Sequence, residues 1–181
     1  EAVGFLKDGV KWADTQDLPR LKYKLIDDLI VLLIRQKRSA EAERYASEYD
    51  LILGSASDFK LETSLHNIAA RSIIYCLWQR KEFNESKKII DLFIKRTEEK
   101  GQLRRKAEWL KLHILNLEYS GKKDQINRVL QELLALAQTQ NYFRMLIDEP
   151  ALHKLLAAFK SDKHYEILNS EEQRFYARLM Q

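Results

Sequence analysis

The chain has 181 residues, and its 31 Lys and Arg against 27 Asp and Glu give a formal net charge of +4. Only five glycines and two prolines accompany abundant Leu, Lys, Glu and Ala, which argues against most β-sheet folds and favours an all-helical protein. The two signs of charge are mixed along the chain, so solvated helix faces explain the pattern better than a nucleic-acid footprint does.

Membrane and redox signals point to one compartment. Cys76 is the only cysteine, so an internal disulfide is impossible and a reducing environment fits. The apolar run Leu29–Ile34 is far too short to cross a bilayer, and no signal peptide is visible. We therefore predict a cytoplasmic chain without membrane contact.

The first fifty residues predict a partial helix followed by a hairpin. Residues 1–12 carry apolar side chains at helical spacing, interrupted by two glycines. Asp17 followed by Leu18 and Pro19 predicts a helix start with Asp17 as its cap. A wide apolar stripe follows, and a second helix is expected from about Ser39.

The middle of the chain predicts a second hairpin. Residues 51–58 suggest a packed connector, with Asp58 as the cap of a helix over about 59–80. Its partner helix covers about 84–100, and Gly101 suits a left-handed residue at its end.

The third predicted hairpin pairs residues 103–119 with 124–137. Gly121 is its expected turn and Asp124 its expected cap.

After Asn141 the pattern breaks. Pro150 disfavours helix at the residue before it but suits the first turn of a new helix. A last amphipathic helix is expected from about Ser170. Arg144 and Asp148 are four residues apart, so we expect them to pair and to fix this arm against the last hairpin.

Three predicted turns share one register, with offsets of 44 and 40 residues. The pattern resembles the tetratricopeptide repeat, which has a small residue near the start of each second helix where two helices cross closely. Ala42 and Ser86 fit that position, and Ile126 departs from it. An ordinary helical bundle with common capping chemistry is the alternative. The aligned turns are residues 35–42, 79–86 and 119–126.

The repeat predicts an all-α fold in which tetratricopeptide-like helical hairpins form a right-handed superhelix. We expect one domain over residues 1–181. Its parts are hairpins at about 18–50, 59–100 and 102–139, and a C-terminal arm with helices over 141–181.

Residues from about Leu77 to Phe159 resemble a narrower group, the sensor region of the large ATP-dependent LuxR-class regulators typified by the bacterial maltose-operon activator. In that family the arm reads approximately Tyr, a spacer, Arg, an apolar pair, Asp, Glu and Gly; Pro150 stands here in place of that Gly. The residues that carry the resemblance are Ala107–Leu117, Gly121, Leu130–Ala137, and the arm Tyr142–Glu149 with Leu152, Leu155 and Leu156.

This resemblance implies an inducer-sensing fragment excised from a bacterial transcription regulator and prone to self-association. Its partners would be a small-molecule inducer, a peptide or a protein. No phosphate-binding loop or complete helix-turn-helix is visible, so ATP and DNA would bind elsewhere in the parent protein, and this fragment would need no cofactor. The alternative is a generic repeat scaffold that binds a peptide or partner protein.

The residues offer little support for catalysis. The histidines are far apart in sequence without metal-ligand spacing, and Cys76 has none at helical contact distance. We therefore predict that the chain is not an enzyme. The four histidines are His66, His113, His153 and His164.

The first helices of the hairpins would line a concave groove, with the charged residues Lys24, Asp27, Arg35 and Glu108 also exposed in it. Aromatic faces beside charged groups suit a sugar, a peptide or another polar metabolite. The alternative is that Tyr75 and Trp78 pack against the neighbouring repeat. Arg104, Arg105 and Lys106 are interpreted as a solvated helix start. The candidate ligand-binding residues are Arg71, Tyr75, Trp78, Gln79, Lys111 and Tyr119.

Overall fold

The computed structural model describes residues 1–52, 59, 67–142, 144, 146 and 150–180. Every regular element in these ranges is an α-helix, which confirms the predicted all-α class. The helices are α1 (Ala2–Thr15), α2 (Pro19–Arg35), α3 (Ser39–Glu48), α4 (Ala70–Gln79), α5 (Phe83–Glu99), α6 (Leu103–Tyr119), α7 (Lys123–Gln140), α8 (Pro150–Phe159), α9 (Lys163–Glu166) and α10 (Ser170–Leu179).

The chain divides into two compact units, Glu1–Ile89 and Ile90–Gln181. In the first unit α1 packs on α2, and α2 packs on both α3 and α4. The amphipathic stripe of α2 supplies the centre of this core, because its apolar residues recur every three or four positions and are removed from water. Its fully buried members are Ile26, Leu29, Ile30 and Leu33.

The second unit is built on the α6–α7 hairpin. Helix α8 packs on both members of the hairpin, while α9 and α10 pack on α7. The end of the chain completes this core: Phe159 of α8 lies close to Tyr165 and Tyr176, and the Tyr176 hydroxyl donates to the carbonyl oxygen of Leu156 at 2.6 Å.

Seven helix ends carry the same turn. In each, one residue has a positive φ and donates its N–H to the carbonyl three residues earlier, while the next residue donates to the carbonyl five residues earlier. These are Schellman motifs, with N–O distances between 2.7 and 3.3 Å. The last four occur at intervals of 20 residues. The positive-φ residues are Asp17, Lys37, Asp50, Lys81, Gly101, Gly121 and Asn141.

The three turns that were aligned in the sequence have the same backbone conformation in the structure. Lys37, Lys81 and Gly121 occupy the third position of the three aligned turns, so those turns share one backbone geometry. Gly101 takes the predicted left-handed conformation as well, with φ of 61°. At the small position Ile126 is 3% exposed. A large side chain is therefore accommodated there.

Two predicted helix caps are wrong. Asp17 is the left-handed residue that ends α1, and Leu18 is the N-cap of α2, without a side-chain cap hydrogen bond. Lys122 is the N-cap of α7, which leaves Asp124 in the first turn. The reason is that the Schellman turn needs a single left-handed residue before the next helix begins, which moves each cap by one or two residues from its predicted position.

Other boundaries differ from expectation by small amounts. The expected partial helix at the N-terminus is a complete helix, α1, which includes both Gly4 and Gly9. A Cβ added at Gly4 would meet no atom within 4 Å, and one added at Gly9 would lie 3.2 Å from the Leu25 side chain. The predicted helix starts at Ser39, Pro150 and Ser170 are confirmed. The predicted cap Asp58, most of the connector and residues 60–66 of the expected 59–80 helix lie outside the described residues.

Candidate functional site

The structure places the six predicted ligand-binding residues on two helices. Arg71, Tyr75, Trp78 and Gln79 lie on α4 in the first unit, and the other two, Lys111 and Tyr119, lie on α6 in the second.

Asp27 and Arg71 form the centre of the first-unit site. The Asp27 side chain is fully buried, so the expectation that it lines an open groove is wrong. Its carboxylate accepts hydrogen bonds from Arg71 Nε at 2.9 Å, from Arg71 Nη2 at 2.7 Å and from the backbone N–H of Ser72 at 2.8 Å. A buried carboxylate is stable only with such partners, and these three donors fix α4 against α2.

Arg71 bridges this buried carboxylate and the surface. Its side chain is 39% exposed, and Nη2 also donates to Asp28, which is 40% exposed. Burial by itself would lower the pKa of Arg71, but the charge of Asp27 and the hydrogen bonds to it, joined by Asp28, raise that pKa above its usual value. The guanidinium therefore stays charged at every physiological pH.

Tyr75 and Trp78 are packed rather than open. They are 7% and 6% exposed, with ring centroids 4.7 Å apart. Arg35 of α2 donates to the Tyr75 hydroxyl at 3.1 Å, and its guanidinium carbon lies 5.8 Å from the centre of the Tyr75 ring. The packing alternative describes their environment, and their contact with a ligand stays a prediction.

Gln79 completes a row along α4. Ser39 Oγ donates to Gln79 Oε1 at 2.7 Å, and Gln79 itself is exposed. Residues 71, 75 and 79 are spaced four apart and therefore share one helix face. This face carries three polar connections to α2 and to the start of α3, which we call the three-rung face: Arg71 with Asp27 and Asp28, Tyr75 with Arg35, and Gln79 with Ser39.

Sequence reasoning did not pair these residues, although a signal was present. Asp27 and Arg71 are 44 residues apart, which is the offset that aligned the first two turns. Side chains at equivalent positions of neighbouring hairpins can therefore contact each other. A search for opposite charges at the repeat offset would have found this pair.

The second-unit residues sit on α6. Tyr119, the last residue of α6, is 49% exposed, and Lys111 is half-buried. In the aligned register Lys111 is equivalent to Arg71, and Tyr119 is equivalent to Gln79. Both helices thus carry hydrogen-bonding groups at the same two positions.

The basic cluster at the start of α6 is solvated in part. Lys106 Nζ forms salt bridges with Glu98 and Glu132, each at 2.7 Å. Burial by itself would lower the pKa of Lys106, but the hydrogen bonds to these two carboxylates and their charges raise it. Arg104 and Arg105 are exposed, as the sequence predicted. The predicted Arg144–Asp148 pair falls outside the described residues, because Asp148 is not among them.

The described residues contain no cluster of three His, Cys, Asp or Glu side chains that would hold a metal ion. His164 Nδ1 lies 2.5 Å from Asp162, and hydrogen bonds from the His164 backbone and ring lower the pKa of the Asp162 carboxyl. This pair caps α9, because the backbone N–H of His164 also donates to Asp162. Across the same residues, each helix is too short or too polar to traverse a lipid bilayer.

Comparison with protein-family models, with curated proteins and with solved structures finds no match. The resemblance to the LuxR-class sensor region rests on residues of the arm and of the third hairpin, and it stays a prediction.

Proposed function

We propose that the chain is the inducer-sensing, interaction-competent repeat region of a bacterial LuxR-class transcriptional regulator, and that its three-rung face contacts the inducer. Asp27, Arg71 and Lys111 are equivalent in the aligned hairpins, so a charged group recurs at one position of the first helices α2, α4 and α6. The half-exposed Arg71, held by two carboxylates, is the observation that supports the proposal most directly.

The finer architecture is part of the same proposal. Turns of one geometry at 20-residue intervals support tetratricopeptide-like hairpins stacked in a right-handed superhelix. In such an array the first helices line the concave surface, and α2 and α4 are joined side by side through Arg71 and Asp27.

The chemistry of the face defines the ligand class. A pre-oriented guanidinium recognises carboxylate, phosphate or vicinal hydroxyl oxygens, while the exposed amide of Gln79 both donates and accepts. A small polar metabolite such as a sugar or an acidic sugar derivative matches these groups. Within the parent protein, located in the cytoplasm, binding would shift an equilibrium between inactive and active assemblies.

A thermal-shift screen tests the proposal. The panel contains mono- and oligosaccharides, sugar phosphates, amino acids and short peptides. A specific ligand at about 100-fold excess over its Kd stabilises the fold by about 2.7 kcal/mol, which is roughly 5–10 °C in Tm for a chain of this size. A metabolite response that Gln79→Ala or Arg71→Lys weakens supports the sensor function.

Two results would distinguish the sensor region of a regulator from a generic repeat scaffold. A response to peptides alone would favour the generic scaffold that binds a peptide or partner protein. The gene sequences that flank this region give an independent check: a phosphate-binding loop upstream and a helix-turn-helix downstream are expected for the regulator and not for the scaffold.

A further inference from the structure

Helix α1 is apolar on two opposite sides. Val3, Val10 and Ala13 are buried where α1 packs on α2. Phe5 and Trp12 project from the other side, with 79% and 55% of their surface exposed. A helix with apolar side chains on both sides is typical of a position between two layers, because a surface helix normally carries one apolar stripe.

Acidic residues interrupt the exposed aromatic stripe. Glu1, Phe5, Asp8 and Trp12 follow one another at spacings of four, three and four residues, so they share one face, and both carboxylates are exposed. We call these four residues the acidic–aromatic face. A shallow hollow of about 760 Å³ opens beside Phe5 and is lined by Glu1, Ala2, Gly4, Phe5, Leu6 and Asp8.

The second unit carries a surface of opposite character. A shallow, open hollow of about 480 Å³ lies where α6 begins and α7 ends. Arg104 and Arg105 are exposed there, and Leu103 is 40% exposed. The first turn of α6 holds no acidic residue, and Arg104 Nε lies 3.9 Å from the carboxylate of Glu108. We call this surface the basic cavity; its lining is Gly101, Gln102, Leu103, Arg104, Arg105, Gln140 and Tyr142.

We propose that the acidic–aromatic face of one copy of the chain docks on the basic cavity of a second copy. Glu1 and Asp8 are about 10 Å apart along α1, a distance that the two long arginine side chains span. The carboxylates meet Arg104 and Arg105, and the aromatic rings cover Leu103. The contact then buries exposed apolar surface of both copies and pairs their opposite charges.

The contact joins two different surfaces, so it is heterologous. In a pair, one copy keeps an unused basic cavity and the other keeps an unused acidic–aromatic face, so association continues head to tail as concentration rises. The proposal is independent of the inducer, because neither surface contains a residue of the three-rung face.

Sedimentation velocity over about 10 μM to 1 mM of the chain measures the association. The mean mass is expected to rise with concentration and to fall with added salt, because exposed charges are screened. The charge-reversal variants E1K/D8K and R104E/R105E should each weaken association at least about tenfold, and F5S/W12S should do so without altering charge. K122E/K123E is the matched control: it makes the same charge change at the start of α7 and should leave association unchanged.

Mixing the two charge-reversed variants is the decisive arm. The basic α1 of E1K/D8K matches the acidic cavity of R104E/R105E, so the mixture should associate more strongly than either variant alone. Circular dichroism confirms that each variant is folded. The proposal is overturned if the wild-type chain stays monomeric over the whole concentration range. It is also overturned if F5S/W12S and both charge reversals leave association unchanged, or if the mixture associates no better than its components.

Discussion

At the residue scale, Asp27 is the only charged side chain that is fully buried within the described part of the chain. Three N–H donors within 2.9 Å satisfy it, two of them from Arg71, and Lys24 Nζ donates to it from 3.4 Å. An isolated carboxylate in this position would cost several kcal/mol, so the energetic role of Arg71 is to make the buried charge tolerable. The Arg71 side chain is also 39% exposed, so the residue that stabilises the α2–α4 contact is accessible to the proposed ligand.

Replacement of Arg71 by Met should lower the free energy of unfolding by about 2–3 kcal/mol, because Asp27 would keep only the Ser72 N–H and the longer contact with Lys24 Nζ at 3.4 Å. The value lies below that of a fully buried pair because Arg71 is 39% exposed. Urea denaturation measures the change.

Arg20→Met is the control for this variant, since Arg20 is exposed at the start of α2. The double variant D27N/R71M should lose less stability than the two single changes added together, because the amide that replaces the Asp27 carboxylate carries no charge to leave unpaired. If Arg71→Met stays within about 0.5 kcal/mol of wild type, the pair contributes nothing to stability.

Cys76 should be chemically inert in the folded chain. Burial raises the pKa of its thiol to about 12, and the nearby Arg80 opposes this only in part. The thiolate is the reactive form, so at pH 8 alkylation of the native chain should be at least about 1,000-fold slower than in denaturant. The thiol therefore makes stability depend on pH only in alkaline solution. Below pH 9.0, the ordinary pKa of a thiol, Cys76 is protonated in both the folded and the unfolded chain and has no effect. Above pH 9.0 the unfolded chain loses the proton first, so the folded chain becomes less stable as pH rises. Equal alkylation rates in the native and denatured chain would contradict the burial.

At the element scale, the Schellman turns set the helix lengths. Five of the seven described left-handed residues are not glycine, and three of those are Asp or Asn, which tolerate this conformation better than other residues do. Lys37 and Lys81 have no such tolerance. The chain therefore stores backbone strain at two of the turns that define the repeat.

Substitutions at Gly121 and Lys81 should change the stability of the chain in opposite directions. Gly121→Ala is expected to destabilise the chain by about 1 kcal/mol, because φ is +74° there, whereas Lys81→Gly should be neutral or stabilise it by up to about 1 kcal/mol. Thermal and urea denaturation measure both.

Gly4→Ala serves as the reference, since Gly4 is helical and a Cβ added there would meet no atom within 4 Å; a gain in stability of about 0.5–1 kcal/mol is expected. If Gly121→Ala behaves like Gly4→Ala, the left-handed turn is not a constraint on stability.

The sequence predicted the helices and turns well, and the caps and side-chain environments less well. Apolar periodicity and glycine placed the hairpins because both act within a few residues. The cap predictions at Asp17 and Asp124 fail because each Schellman turn places its left-handed residue, Asp17 or Gly121, directly before the N-cap of the next helix, Leu18 or Lys122. The predicted exposure of Asp27 fails because its burial depends on a donor 44 residues away.

At the scale of the whole molecule, the chain offers two kinds of surface. The three-rung face carries polar groups that are already oriented by contacts within the first unit, and Lys111 and Tyr119 repeat those positions in the second. The acidic–aromatic face and the basic cavity lie apart from these residues in sequence. A sensor that also assembles must bind its inducer and associate with other copies, and the two proposed surfaces use different side chains for these functions.

Separation of the two functions is testable. Charge reversal of the basic cavity by R104E/R105E should weaken self-association at least about tenfold but leave inducer affinity within about twofold, since sites without shared residues act nearly independently. Isothermal titration of the variant with the best metabolite from the thermal-shift screen measures the affinity. A large loss of affinity would place the ligand at the basic cavity instead.

The most direct test of the inducer proposal is a backbone-amide NMR titration of the ¹⁵N-labelled chain with that metabolite. We expect the largest chemical-shift changes on residues 71–79 and 111–119, and we expect Gln79→Ala to weaken binding without unfolding the chain. Shift changes confined to other residues, or no saturable change with any metabolite of the panel, would contradict the proposal.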